Sequence, residues 1–132
     1  MNFVLHPRLE ADTAFIADWP LCRLLLMNDS RYPWLILVPR RTGAVEMMDL
    51  AADDRAVLLQ EMMRAGEIVR GLPRVTKLNI GALGNLVPQL HIHIVGRHPG
   101  DPAWPGPVWG HSPTIPYEAQ AREGLIALVR SL

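Results

Sequence analysis

Gln89-Leu90-His91-Ile92-His93-Ile94-Val95 alternates polar and apolar residues without a break as far as Ile94. A period of two is that of a strand with one face in a core. Leu90, Ile92 and Ile94 are expected to point into that core, leaving Gln89, His91 and His93 in a row on the opposite, exposed face. Successive imidazoles on such a row lie about 6–7 Å apart, at a rise of roughly 3.3 Å per residue. That is close enough to share one small ligand, such as a phosphate or a metal ion.

The sequence around the row reads as one α+β domain. Residues 84–88 form a turn before it, and 77–82 form a strand weakened by Gly81. Further upstream, Leu58, Met62, Ala65, Val69 and Leu72 recur at helical spacing. This helix is expected to be capped by Asp53 or Asp54 and ended by Gly71 and Pro73, with Arg55, Gln60, Glu61, Arg64 and Glu67 on its solvent side. Residues 21–27 and 33–38 are apolar runs separated by the turn Asn28-Asp29-Ser30 and closed by Pro39. They read as an antiparallel hairpin covered on both faces, since neither run alternates cleanly. Arg40 and Arg41 open a loop that reaches Asp49-Leu50. Downstream, 96–116 is rich in Pro, Gly and Trp and cannot sustain regular structure. Gly96 is expected to disturb the strand alternation, which leaves the direction of Arg97 open. Residues 117–132 end in a helix with Ile126 and Val129 on its apolar face. The expected architecture is a mainly antiparallel sheet with one long central helix and a C-terminal helix, spanning residues 1–132 as a single domain.

Bulk chemistry narrows the function classes. The 132 residues carry 13 basic and 13 acidic side chains, for a formal net charge of zero. That argues against nucleic-acid or anionic-membrane partners held by bulk charge, while a small phosphorylated ligand needs only a local site. Cys22 is the sole cysteine, which excludes an internal disulfide and a cysteine-based zinc site. Its apolar neighbours point to a buried thiol. Residues 1–10 lack a basic region followed by an apolar stretch, and the longest apolar run, 34–38, is far short of the ~20 residues that span a bilayer. A cytoplasmic location is the expectation.

On the residues alone, three readings of the histidine row stay open. The two histidines can be partly exposed and share no role. They can bind a metal, since imidazole is a common ligand. A zinc site needs a third ligand, however, and Gln89 is a poor one, while His6, His98 and His111 have no helpful spacing. The third reading is nucleophilic catalysis on phosphorus. Neutral imidazole can form a phosphorus–nitrogen bond that water later cleaves, provided one ring is held in a single tautomer and polar neighbours meet the phosphoryl charge.

The row resembles the signature of the histidine triad (HIT) superfamily, in which histidines alternate with apolar residues. The resemblance runs back through Leu24-Leu25-Leu26-Met27-Asn28, Leu35-Ile36-Leu37-Val38-Pro39, Asp49-Leu50, the helix, Leu78-Asn79-Ile80-Gly81 and Gly84-Asn85. It covers about residues 21–97. Trp104-Pro105 is similar to an element of the nucleoside-phosphoramidase branch. The resemblance implies a HIT-like fold and a bacterial HIT-domain protein similar to diadenosine polyphosphate hydrolases. It implies hydrolase or nucleotidyl transferase chemistry at the α-phosphate of an adenine nucleotide or dinucleoside polyphosphate, with no tightly bound cofactor and a two-fold homodimer. By position, His91 would be the nucleophile and His93 would contact the phosphoryl oxygens. Asn28, Asn79 and Asn85 would flank nucleotide and phosphate, and Pro39 would border the pocket. Trp104 and Trp109 would serve as a lid, a dimer contact or ordinary packing.

Two positions depart from that pattern. Gln89 stands at the first histidine of the triad, and Leu86 stands where many relatives place Ser or Thr. Glutamine donates and accepts hydrogen bonds but carries no charge. Losing one preorganised donor typically costs on the order of 10²–10³ in rate. Slowed catalysis with Gln89 as a weakened member of the catalytic row is the expectation, and a nucleotide-binding module with little or no turnover is the alternative.

Overall fold

The computed structural model describes residues 2–132. Along the chain, helix α1 (Pro7–Asp12) leads into strands β1 (Thr13–Asp18), β2 (Cys22–Met27) and β3 (Trp34–Pro39). A 3-10 turn (Met47–Asp49) and helix α2 (Ala52–Arg70) follow, then β4 (Lys77–Gly81), β5 (Ile92–Arg97) and helix α3 (Ala119–Arg130). The five strands form one sheet in the order β1-β2-β3-β5-β4, with every neighbouring pair antiparallel.

Every residue of β3 and β5 is buried. This is why the apolar run of β3 lacks alternation: both faces of the sheet are covered. On one face Leu24, Leu35, Leu37, Ile92 and Ile94 pack with Leu58, Ala65 and Val69 of α2 and with Ile126 and Val129 of α3. On the other, Leu25, Trp34, Ile36, Val38 and Val95 pack with Leu9 of α1 and with Ala103 and Val108 from the Pro/Gly/Trp-rich segment. Its first two residues, Gly96 and Arg97, belong to β5 against expectation; residues 98–116 form no helix or strand, as their composition predicts, yet they roof the second face.

The structure corrects the sequence reading in several places. Both α1 and β1 are additional to the predicted elements. Helix α1 is a single short turn-and-a-half that starts with Pro7 at its first position, where the missing N–H is no loss. Strand β1 carries a register shift between Phe15 and Ala17, which breaks the period-two signal. Ala51 occupies the N-cap of α2, without a side-chain cap bond. Asp53 and Asp54 instead sit in the first turn, where negative charge favours the helix dipole. Glu61 is not on the solvent side. Its buried carboxylate accepts the backbone N–H groups of Leu21 (3.0 Å) and Cys22 (2.8 Å), tying α2 to the start of β2. Cys22 is fully buried, and burial pushes its thiol well above the ordinary value.

Strand β5 begins at Ile92 rather than Gln89, and Gly96 does not interrupt it. The pairs Asn79↔Val95, Leu78↔Gly96 and Lys77↔Arg97 run in unbroken register. Glycine is needed there for close approach: a Cβ at Gly96 would lie 2.7 Å from Val75 Cγ2 and 2.9 Å from Val69 Cγ1. Among the described residues, no helix is long and apolar enough to cross a membrane.

Candidate active site

His93 lies in the middle of the sheet, opposite Ile36 of β3 and Gly81 of β4. His91 sits just before β5, and Leu90 N–H bonds to the Ala44 carbonyl (3.0 Å) to hold that approach. The two rings meet edge to face, with centroids 4.8 Å apart and planes at 67°. They do not stand on an open surface. His91 is 6% and His93 7% exposed, because α1 and the segment after β5 fold over this face. Alternation identifies the two faces of a strand but does not say what covers either one.

Space remains beneath the roof. A cavity of about 510 Å³ opens beside both rings, with Trp34 and Ile36 from β3, Arg8 from α1 and Trp109 from the roof among its walls. This is a volume suited to a small organic ligand. Trp109 stands edge-on to His93 at 5.5 Å and to Trp34 at 6.3 Å.

The ring nitrogens have distinct partners, and these decide the tautomers. His91 Nδ1 lies 2.7 Å from the Gln89 carbonyl oxygen, which can only accept. Nδ1 therefore carries the proton, and Nε2 of His91 is left with its lone pair. The opposite holds at His93. Its Nδ1 receives the indole N–H of Trp34 at 3.0 Å, and indole nitrogen can only donate. The proton of neutral His93 is therefore on Nε2. Burial, then the neighbouring His91, lowers the His93 pKa from 6.5 to about 3, so this ring is neutral at physiological pH. One ring thus offers a nucleophilic nitrogen and the adjacent ring offers a hydrogen-bond donor.

The other site residues named from the sequence are dispersed. Asn85 and Leu86 line the cavity, and Leu86 is 76% exposed. Asn28 and Asn79 are not among the cavity walls. Asn28 Oδ1 accepts the Tyr117 N–H (3.0 Å), while Asn79 Oδ1 accepts from Arg97 Nη1 (2.7 Å). Pro39 pairs with Cys22 at the far end of β3; the cavity uses Trp34 and Ile36 instead. Gln89 turns its side chain away from the ring pair. Its Nε2 donates to the Val4 carbonyl (2.9 Å) and its Oε1 accepts the His6 N–H (2.8 Å). Arg97 is fully buried and makes a two-point ion pair with Asp101 (2.7 and 2.9 Å), with a further bond to the Gly106 carbonyl.

Trp34, Arg8 and Asp29 are cavity residues that the sequence did not single out. The only available signal was for Trp34, which shares a strand face with Ile36 two residues on. Asp29 is buried, and Arg31 holds its carboxylate through Nε (3.0 Å) and Nη2 (2.9 Å). Among the described residues, no group of three His, Cys, Asp or Glu side chains is arranged to hold a metal ion.

Comparison with known proteins gives three kinds of result. A family model described as the HIT domain matches residues 8–100. The structure superposes on a histidine triad protein from Bradyrhizobium japonicum with a TM-score of 0.96 and 45% identity, covering 99% of this chain and 98% of that one. A histidine triad protein from Marinobacter aquaeolei VT8 gives 0.96 and 44% identity over 99% and 96% of the two chains. One from Sinorhizobium meliloti 1021 gives 0.95 and 42% identity over 98% and 96%. No curated protein matches the chain.

Proposed function

The chain belongs to the HIT domain family, and from that premise we propose that it is a nucleotide phosphohydrolase or nucleotidyl transferase. Its substrate would be an adenine nucleotide or dinucleoside polyphosphate, attacked at the α-phosphate. The observation that carries this reading is the pair of opposite tautomers at His91 and His93 beside a cavity of about 510 Å³.

In this mechanism the Nε2 lone pair of His91 attacks the α-phosphorus. The bond from phosphorus to the leaving group breaks, and the leaving atom keeps the electron pair. That atom is oxygen in a dinucleoside polyphosphate and nitrogen in a phosphoramidate, where it takes a proton from solvent to leave as the amine. The ring gains positive charge as the N–P bond forms, which strengthens the Nδ1–H bond to the Gln89 carbonyl. In this reading the Nε2–H of His93 donates to a non-bridging phosphoryl oxygen as its charge grows. Water then attacks phosphorus and releases a proton to solvent, and the N–P bond breaks to restore the His91 lone pair. Another acceptor in place of water makes the same chemistry a transfer.

The test is turnover of diadenosine tetraphosphate and of an adenosine phosphoramidate by the wild type and by His91→Ala, with mass spectrometry of acid-quenched protein. The expected outcome is slow turnover by the wild type, a nucleotidyl adduct on His91, and a loss of at least roughly 10³ in rate in the variant. Equal turnover by both proteins would remove His91 as nucleophile. A second reading, a nucleotide-binding module without turnover, is favoured by one observation: the Gln89 amide is engaged by Val4 and His6 and adds no third polar group to the ring pair. Calorimetric binding of adenosine monophosphate with no hydrolysis of either substrate would select it.

A further inference from the structure

We propose that Gln89 is a positioning residue. Its side-chain amide latches the N-terminal segment and so sets α1 as a wall of the cavity. Gln89 Nε2 donates to the Val4 carbonyl and its Oε1 accepts the His6 N–H, across 85 and 83 residues of sequence. The two backbone groups flank Leu5, and one primary amide meets both, as the N–H and C=O of a single residue in a parallel neighbouring strand would.

The latch transmits to the cavity through His6. The His6 backbone N–H is bound by Gln89, its Nδ1 accepts the Arg8 N–H (3.1 Å), and its carbonyl accepts the Glu10 N–H (3.0 Å). His6 is the N-cap of α1, and the next turn of that helix places Arg8, Leu9 and Asp12 on the cavity wall. Leu9 is buried against the cluster that contains Trp34 and Ile36, the cavity floor. The backbone carbonyl of Gln89 meanwhile receives Nδ1–H of His91. One residue therefore joins the α1 wall to the ring that carries the nucleophilic nitrogen.

The chemistry of the side chain explains its identity. The latch needs a donor and an acceptor side by side. A carboxylate supplies only acceptors and repels the Val4 carbonyl. Imidazole has its donor and acceptor on opposite flanks of the ring and can satisfy only one of the two backbone groups. A histidine at this position would break the latch. The effect on chemistry is indirect: with α1 unlatched, the ligand loses a wall while the ring pair keeps its tautomers.

The experiment compares wild type, Gln89→Ala, Gln89→Glu and Gln89→His. Amide exchange at His6 and Leu9 is measured by NMR, with adenosine monophosphate affinity and steady-state kinetics alongside. His6 N–H should be protected in the wild type and exchange roughly tenfold faster in Gln89→Ala, with Gln89→Glu and Gln89→His between because each keeps one acceptor. Affinity for the monophosphate should fall roughly three- to tenfold in Gln89→Ala, the worth of about one net hydrogen bond. KM should rise by a similar factor while kcat stays within about twofold. Unchanged His6 exchange in Gln89→Ala overturns the latch. A kcat for Gln89→His above wild type overturns it too, since the position would then limit the chemistry. The affinity and kinetic arms rest on the nucleotide reading above, but the exchange arm does not. A wild type that neither binds the monophosphate nor turns over substrate refutes that reading and leaves His6 exchange to decide the latch.

Discussion

His93 pairs a buried ring with a donor-only partner, and this has a measurable effect on stability. In the unfolded chain it titrates near 6.5, whereas in the folded protein burial, then His91, lowers it to about 3. Between those values the unfolded state binds the extra proton and the folded state does not. The contribution is fully present above pH 6.5 and is lost as pH falls toward 3, at up to about 1.4 kcal/mol per pH unit. Urea midpoints from pH 7 to 4 should therefore fall more steeply in the wild type than in His93→Gln, which keeps an acceptor for Trp34 without a titrating group. Parallel curves would mean that His93 protonates freely in the folded protein. Composition and alternation located both rings, but neither could reveal that Trp34 and the Gln89 carbonyl place their protons on opposite nitrogens.

Two elements on the covered face of the sheet were legible to different degrees. Strand β5 followed from its alternation, while the segment after it read only as irregular. What orders that segment is the clamp at its root. Arg97 ends β5 on the same face as His93 and Val95, and its buried guanidinium holds Asp101, Asn79 and the Gly106 carbonyl. Burial opposes ionisation of Asp101, yet the bonds from Arg97 and from the His98 and Trp104 N–H groups outweigh it and hold the carboxyl below its usual range. Removing one partner of such a pair leaves a buried charge uncompensated and typically costs about 3–5 kcal/mol. Asp101→Asn should lower the urea midpoint accordingly and loosen the roof that carries Trp109. A change under about 1 kcal/mol would show that the pair is not closed to water in solution. The sequence left the direction of Arg97 open because a glycine precedes it. In the fold the register with β4 runs through Gly96 unbroken, and glycine is required there because Val75 and Val69 come too close for any larger residue.

At the scale of the whole molecule, the cavity is assembled from parts distant in the chain. Arg8 comes from α1, Trp34 and Ile36 from β3, the rings from β5 and its approach, and Trp109 from the roof. A ligand held there ties these parts together and stabilises only the folded state. Under the nucleotide reading, adenosine monophosphate at about 100 times its Kd should stabilise the protein by about 2.7 kcal/mol. His91→Ala should keep most of that shift, because the ring acts as nucleophile while the other walls hold the ligand. Thermal unfolding with and without the monophosphate measures this, and no shift in either protein would count against a nucleotide cavity.

Local backbone geometry was enough to put the His91 and His93 rings on one side of the sheet, to pair β2 with β3, and to place the apolar stripe of α2. Side-chain direction in a strand or helix repeats with a short period that neighbouring residues carry. The roof over the rings, the position of the His93 proton, the burial of Glu61 and the destination of the Gln89 amide came only with the fold. Each depends on a partner far along the chain: 59 residues from Trp34 to His93, 40 from Leu21 to Glu61, and 83 from His6 to Gln89. No periodicity records such a meeting, because packing in three dimensions brings the partners together.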